Sequence, residues 1–156
     1  YGTIEGLEVE YVPGRGSTGA DSDMTLREGA DHIGELQAWD LDAEELVWQG
    51  DFPDLNWGSV LTTAAGISFS KAGPPDRYFR AFDARTGEEL WNQRLSSGVM
   101  GVPVTYAIDG VQCVAVQSGW GVDPASMTSR VDRVRGTFTY VPRSGTVWVF
   151  AADDLR

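Results

Sequence analysis

The sequence predicts an all-β chain built from repeated units. Three observations carry this. A repeat recurs at about 43 residues, short β-branched and aromatic runs are broken by turn signals, and no stretch sustains a 3.6-residue apolar period of useful length. The repeat is read from Leu36-Gln37-Ala38-Trp39-Asp40, which aligns with Phe79-Arg80-Ala81-Phe82-Asp83. The same offset carries Glu45 onto Glu88, Trp48 onto Trp91 and Gly58 onto Gly101. A third, partial copy is Val149-Phe150-Ala151-Ala152-Asp153. It lies about 70 residues beyond the second, so about 27 extra residues intervene, most of them within 122–143. A 43-residue period suits one four-stranded propeller blade, with helical repeats of similar length as the competitor; the local runs decide for strands.

The elements follow in order. Val12 to Gly34 is rich in Gly, Ser and Asp and reads as a long surface loop between two strands. Ala38 to Trp48 is a strand, a turn and a returning strand. In its second copy, Ala81 to Trp91, Asp83 accepts backbone N–H bonds in the turn and Gly87 supplies positive φ. Glu44 stands where the second copy has Gly87, which predicts a looser or longer turn in the first. Leu61-Thr62-Thr63 leads to Gly66-Ile67-Ser68-Phe69. Val104 to Ile108 leads through Asp109-Gly110, a hairpin signal, to Val111 to Val116. Thr146 to Phe150 is a further strand. The count is about eight to ten strands, in repeat units at 34–76 and 77–121, an insertion loop at 122–143 and a closing strand at 145–154.

Composition bounds the function. The chain has 156 residues, enough for one compact domain, with 42% hydrophobic residues that suit a packed core. A formal charge of -11 repels phosphate backbones, so nucleic acid is not an expected partner. No apolar run approaches the roughly 18 residues that a membrane span needs. The single cysteine, Cys113, excludes an internal disulfide and a cysteine-rich zinc site and reads as a small buried residue. His32 is the only histidine, and no G-x-S-x-G elbow accompanies it, which argues against a Ser/His/Asp hydrolase. The paired acids Asp21/Asp23, Asp40/Asp42 and Asp153/Asp154 read as turn or surface groups. A start at Tyr1 points to a removed leader or to a piece of a longer product.

Three motifs in order resemble those of the quinoprotein alcohol dehydrogenases, the pyrroloquinoline quinone (PQQ) enzymes built as eight-bladed propellers. One is the tryptophan-docking pattern Ala81-Phe82-Asp83-Ala84-Arg85-Thr86-Gly87-Glu88-Glu89-Leu90-Trp91. Another is Asn56-Trp57-Gly58-Ser59-Val60-Leu61-Thr62-Thr63-Ala64-Ala65-Gly66. The last is Ser97-Gly98-Val99-Met100-Gly101-Val102-Pro103-Val104-Thr105-Tyr106, followed by Val114-Ala115-Val116-Gln117-Ser118-Gly119-Trp120-Gly121. The likeness spans Gly34 to Gly121 and continues more weakly to Arg156. Two departures are Glu44 at the turn glycine and Val122 where a second glycine follows Gly121 in the family.

The resemblance implies the final two to three blades of such a propeller. It also implies that Trp57 contacts PQQ with Asn56 beside it, and that Gly119 and Trp120 turn backbone N–H groups toward a cofactor carboxylate. A flat tricarboxylate suits aromatic surface and N–H donors. Taken alone, Trp57 reads as a packed blade tryptophan, Asn56 as a turn cap and Gly119-Trp120 as an ordinary turn. The family's metal ligands, for calcium or a lanthanide, and its Asp base have no match here, so no catalytic and no metal-binding residue is expected on this chain. Two blades and fractions cannot close a ring and leave apolar faces open. The expectation is therefore a light chain that works with a heavier chain carrying the remaining blades, on an alcohol or polyol substrate, with a cytochrome c acceptor, in the periplasm or secreted. The competing reading is a non-catalytic propeller of the same repeat, used as a protein-binding scaffold.

Overall fold

The computed structural model describes residues 2–6, 13–14, 20–56, 58–71 and 77–151. Among the described residues, eleven strands and one helix follow in order: β1 Gly2–Gly6, β2 Ala20–Met24, β3 Gly34–Asp40, β4 Glu45–Phe52, β5 Leu61–Thr62, β6 Ile67–Lys71, β7 Tyr78–Asp83, β8 Glu89–Arg94, β9 Val104–Ile108, β10 Val111–Gly119, α1 Val122–Arg135 and β11 Gly145–Ala151. They pair into four antiparallel sheets: β1-β2, β3-β4, β5-β6-β7-β8 and β11-β10-β9. The all-β reading holds, with one helix added.

Three expectations need correction. β2 falls inside the stretch read as one long loop. The insertion is not a bare loop, because α1 occupies Val122–Arg135. Sheet boundaries also run out of phase with the units 34–76 and 77–121. The four-stranded sheet spans Leu61–Arg94, because a repeat has no preferred starting point in sequence whereas a sheet begins where the chain crosses from one layer to the next.

The hairpin β3-β4 and the hairpin β7-β8 are built alike. Each carries a register shift at the alanine, at Ala38/Trp39 and at Ala81/Phe82. Each closes on an aspartate: Asp40 Oδ1 accepts from the N–H of Asp42 and Ala43 at 2.9 and 3.0 Å, and Asp83 Oδ1 from those of Arg85 and Thr86 at 2.9 Å. The looser turn expected at Glu44 is absent. Glu44 takes φ 56 and Gly87 takes φ 75, so the side chain tolerates the left-handed region and the turn is conserved in shape. Asp109 and Gly110 both have positive φ and form the hairpin joining β9 to β10, as the dipeptide predicts.

The sheets stack through their side chains. Phe79, Ala81 and Phe69 face Val114 and Val116 of β10, with Trp91, Trp148 and Phe150 packed on the same cluster. Phe79 is fully buried, and its ring lies 6.1 Å from Phe150. Phe82, which directly follows Ala81 in β7, joins a second core with Leu36, Phe52 and Trp48. Alternation along one strand thus serves two neighbours, as in a stack of blades. Trp48 locks the second contact: its Nε1 donates to the Ala84 carbonyl at 3.0 Å and its ring stacks on Phe82.

The outer side of the last sheet is different. Opposed residues in β9, β10 and β11 put Val104, Tyr106 and Ile108 on one face with Ala115, Val147 and Val149. Val104, Ile108, Val147 and Val149 are each more than half exposed. Nothing among the described residues covers this apolar face.

Candidate cofactor-facing site

The strand β10 ends at Gly119, and the segment Ser97–Gly101 lies along that end. Val99 bridges to Ser118, the Gly101 N–H donates to the Gln117 carbonyl at 3.3 Å, and the Ser97 N–H donates to Ser118 Oγ at 3.0 Å. Glycine is needed here for close approach. A Cβ on Gly98 would meet the Trp120 ring at 2.4 Å, and one on Gly101 would meet Gln117 Cβ at 2.6 Å. The Trp120 ring therefore packs directly against the Gly98 backbone.

The Trp120 side chain also lines a groove of about 600 Å³, together with residues of α1 and the segment that follows it. Arg133 and Arg143 border this groove, as do Phe138, Tyr140 and Asp132. Asp132 is held below its ordinary carboxylate range. Burial works to raise it, and hydrogen bonds from the Thr137 and Thr139 hydroxyls and the Thr139 N–H outweigh that. These bonds fold the segment after α1 back over the helix end. Gly136 caps that end with φ 67, and its N–H donates to the Asp132 carbonyl.

The sequence-derived residues divide as follows. Trp57 lies outside the described residues. Asn56 is half-buried, and its Oδ1 accepts the Gly58 N–H at 3.2 Å. A Cβ on Gly34 would strike the Asp54 carbonyl at 2.3 Å, so the segment before Asn56 is pressed onto the start of β3. Arg135, in the last turn of α1, reaches this same segment: its guanidinium donates to the Pro53 carbonyl at 2.9 Å and pairs with Asp54 at 3.3 Å. The helix that begins two residues after Trp120 thus ends on the segment that carries Asn56, although Asn56 itself does not line the groove.

The Gly119 N–H donates to the Gly98 carbonyl at 2.7 Å. This corrects the paired-donor expectation. Of the two N–H groups, only that of Trp120 has no partner among the described residues, and Gly119 contributes close approach instead. The groove itself is lined by Trp120, by two arginines, Arg133 and Arg143, and by Asp132 with its carboxyl group. Neither Asp132 nor Arg135 is marked by a sequence motif. The one available signal was Gly136 after Arg133 and Arg135, a helix ending whose body is too weakly amphipathic to stand out.

Comparison with known proteins decides the family. Residues 32–114, just over half of the chain, match the PQQ family, described as the glucose/ethanol/alcohol dehydrogenase, β-propeller domain. The chain belongs to this family. It is 41% identical over 128 residues to the 1-butanol dehydrogenase (quinone) of Thauera butanivorans, covering 77% of this chain and 18% of that protein. It is 34% identical over 150 residues to the quinoprotein ethanol dehydrogenase of Pseudomonas putida, covering 92% of this chain and 22% of the relative. A solved europium-containing methanol dehydrogenase superposes with a TM-score of 0.74 at 29% identity, over 96% of this chain and 29% of that one. The chain thus spans about a fifth of the length of the curated relatives it matches. The family's propeller agrees with the stack of sheets described above, and the partial coverage agrees with the open face of β9, β10 and β11.

Proposed function

We propose that this chain is the small chain of a PQQ-dependent alcohol dehydrogenase, completed by a larger chain that carries the remaining blades. The open apolar face of the last sheet is the observation that carries this reading. Burying such a face is favourable by roughly 25 cal/mol per Å² of apolar area, and a neighbouring blade is the partner whose shape repeats the contacts already made between the sheets here.

PQQ, when bound, supplies a two-electron acceptor for hydride from an alcohol carbon. The chain's own residues bind and orient. Trp120 offers its ring toward the groove and its N–H toward a carboxylate, while Gly98 fixes the ring's tilt from behind. By the family resemblance Asn56 and Trp57 supply a second point of contact, and the Arg135–Asp54 clasp holds the segment that leads into Asn56. Calcium or a lanthanide ion, its ligands and the Asp base that takes the alcohol proton stand on the larger chain. The setting is periplasmic or secreted, with a cytochrome c as the electron acceptor.

The test is mass and quinone together. A native preparation run under denaturing conditions should give this chain and a larger companion, and the assembly should bind PQQ while Trp120→Ala weakens that binding at least tenfold. A homogeneous small species with no companion would overturn the assembly. An intact assembly that binds no quinone would favour the scaffold reading instead.

A further inference from the structure

The outer face of the β3-β4 hairpin holds a group of side chains that the quinone chemistry does not use. His32 Nε2 stands 3.0 Å from Glu35 Oε1 and 3.5 Å from Asp51 Oδ1, and the donor atoms of the three residues all lie within 4.8 Å of one another. We propose that His32, Glu35 and Asp51 form a surface site for a borderline divalent cation of the zinc class. The proposal is independent of the quinone reading.

The spacing is the first argument. Zinc bonds of about 2.0–2.2 Å in a tetrahedral shell place neighbouring donors roughly 3.3–3.5 Å apart. His32 Nε2 lies 3.0 and 3.5 Å from the two carboxylate oxygens, and all three donors lie within 4.8 Å of one another, so a small inward movement of the two exposed carboxylates completes the shell.

The strand register is the second argument. Glu35 and Asp51 are direct cross-strand partners in β3 and β4. Like charges directly opposite each other destabilise a ladder, and a cation shared between the two carboxylates would relieve that repulsion. The imidazole separates the site from an ordinary acidic patch: a nitrogen donor beside two carboxylates suits zinc, nickel or copper, whereas calcium and lanthanides prefer an all-oxygen shell.

Outer-shell support is the third. Asp31 Oδ1 lies 2.7 Å from His32 Nδ1 and leaves Nε2 to face the two acids. Gln37 Nε2 holds Glu35 Oε2 at 2.6 Å, and Trp39 Nε1 holds Gln37 Oε1 at 2.9 Å. Gln49 Nε2 donates to Asp51 Oδ1 at 2.6 Å. A carboxylate on the far nitrogen of a ligating histidine, and amides steering the ligating carboxylates, are the partners that metal-binding side chains carry.

The experiment is a calorimetric titration of zinc chloride into the protein as isolated, with any companion chain left in place. The site should appear as one zinc equivalent per chain that excess calcium does not displace. His32→Ala should remove that equivalent, and Glu35→Gln should weaken it about tenfold. Asp31→Asn, which touches only the far nitrogen, should also weaken it about tenfold. Circular dichroism checks that each variant is folded, and Asp51→Asn replaces any that is not. Zinc uptake identical in the wild type and His32→Ala, or no uptake at all, would overturn the site and leave the cluster as a protonated histidine among acids.

Discussion

The hairpins β3-β4 and β7-β8 share one design but not one burden. Both bulge at the alanine, both close on an aspartate and both reach positive φ at the same place. Yet one turn uses glutamate and the other glycine. The difference lies in what sits on the turn. A Cβ on Gly87 would meet the Trp48 ring at 2.7 Å, so the neighbouring sheet's tryptophan lies against that glycine and bonds the Ala84 carbonyl beside it. Among the described residues no ring is docked on Glu44. Glycine at this position is thus required twice over only when a blade docks there. Positive φ alone is a cost that a larger residue can carry.

Gly87→Ala tests the double requirement and should have the largest effect. The left-handed backbone costs an L-residue roughly 1–2 kcal/mol, and crowding Trp48 adds a similar amount, for a loss of about 3 kcal/mol in urea unfolding. Next comes Trp48→Phe, which removes the donor to Ala84 and should cost about 2 kcal/mol. The same change at Trp91 should cost less. Trp91 packs edge-on against Phe150 at 5.0 Å, a contact phenylalanine can keep, and makes no comparable bond among the described residues. Equal losses at the two tryptophans would mean that the Ala84 bond contributes nothing.

Acid separates the turns by charge. Asp83 is held below its ordinary value of 3.8 by the N–H groups of Arg85 and Thr86. A carboxyl depressed in the folded state contributes stability that is fully present above its unfolded pKa. That contribution is lost as pH falls through the folded value, so the window lies below about pH 4. The difference in melting temperature between wild type and Asp83→Asn should therefore shrink as pH is lowered through that range. A constant difference would place the effect of the aspartate in geometry rather than charge.

Much of this was legible in the sequence because it is periodic. The 43-residue offset aligned Ala38 with Ala81 and Trp48 with Trp91, and those pairs occupy equivalent places in the two hairpins. Asp109-Gly110 specified its own turn. Local chemistry did not reveal partners distant along the chain. That the Gly119 N–H would be taken by Gly98 depends on how Ser97–Gly101 lies along β10, a contact between segments about 20 residues apart. The helix α1 escaped because its stability comes from its end. Asp132, Thr137 and Thr139 lock that end while Arg135 ties it to Asp54, and neither leaves an apolar stripe.

The mildest change probes the other side of the comparison. Glu44→Gly should relieve the left-handed strain with no docked ring to disturb, raising stability by about 1 kcal/mol. The gain is read as a higher urea midpoint with an unchanged slope, since the surface exposed on unfolding stays the same. It is smaller than the Gly87→Ala loss because only the backbone contribution operates, and the greater freedom of glycine in the unfolded chain offsets part of it. A loss of stability instead would mean that the Glu44 side chain makes a contribution of its own, and the two turns would then differ in contacts as well as in strain.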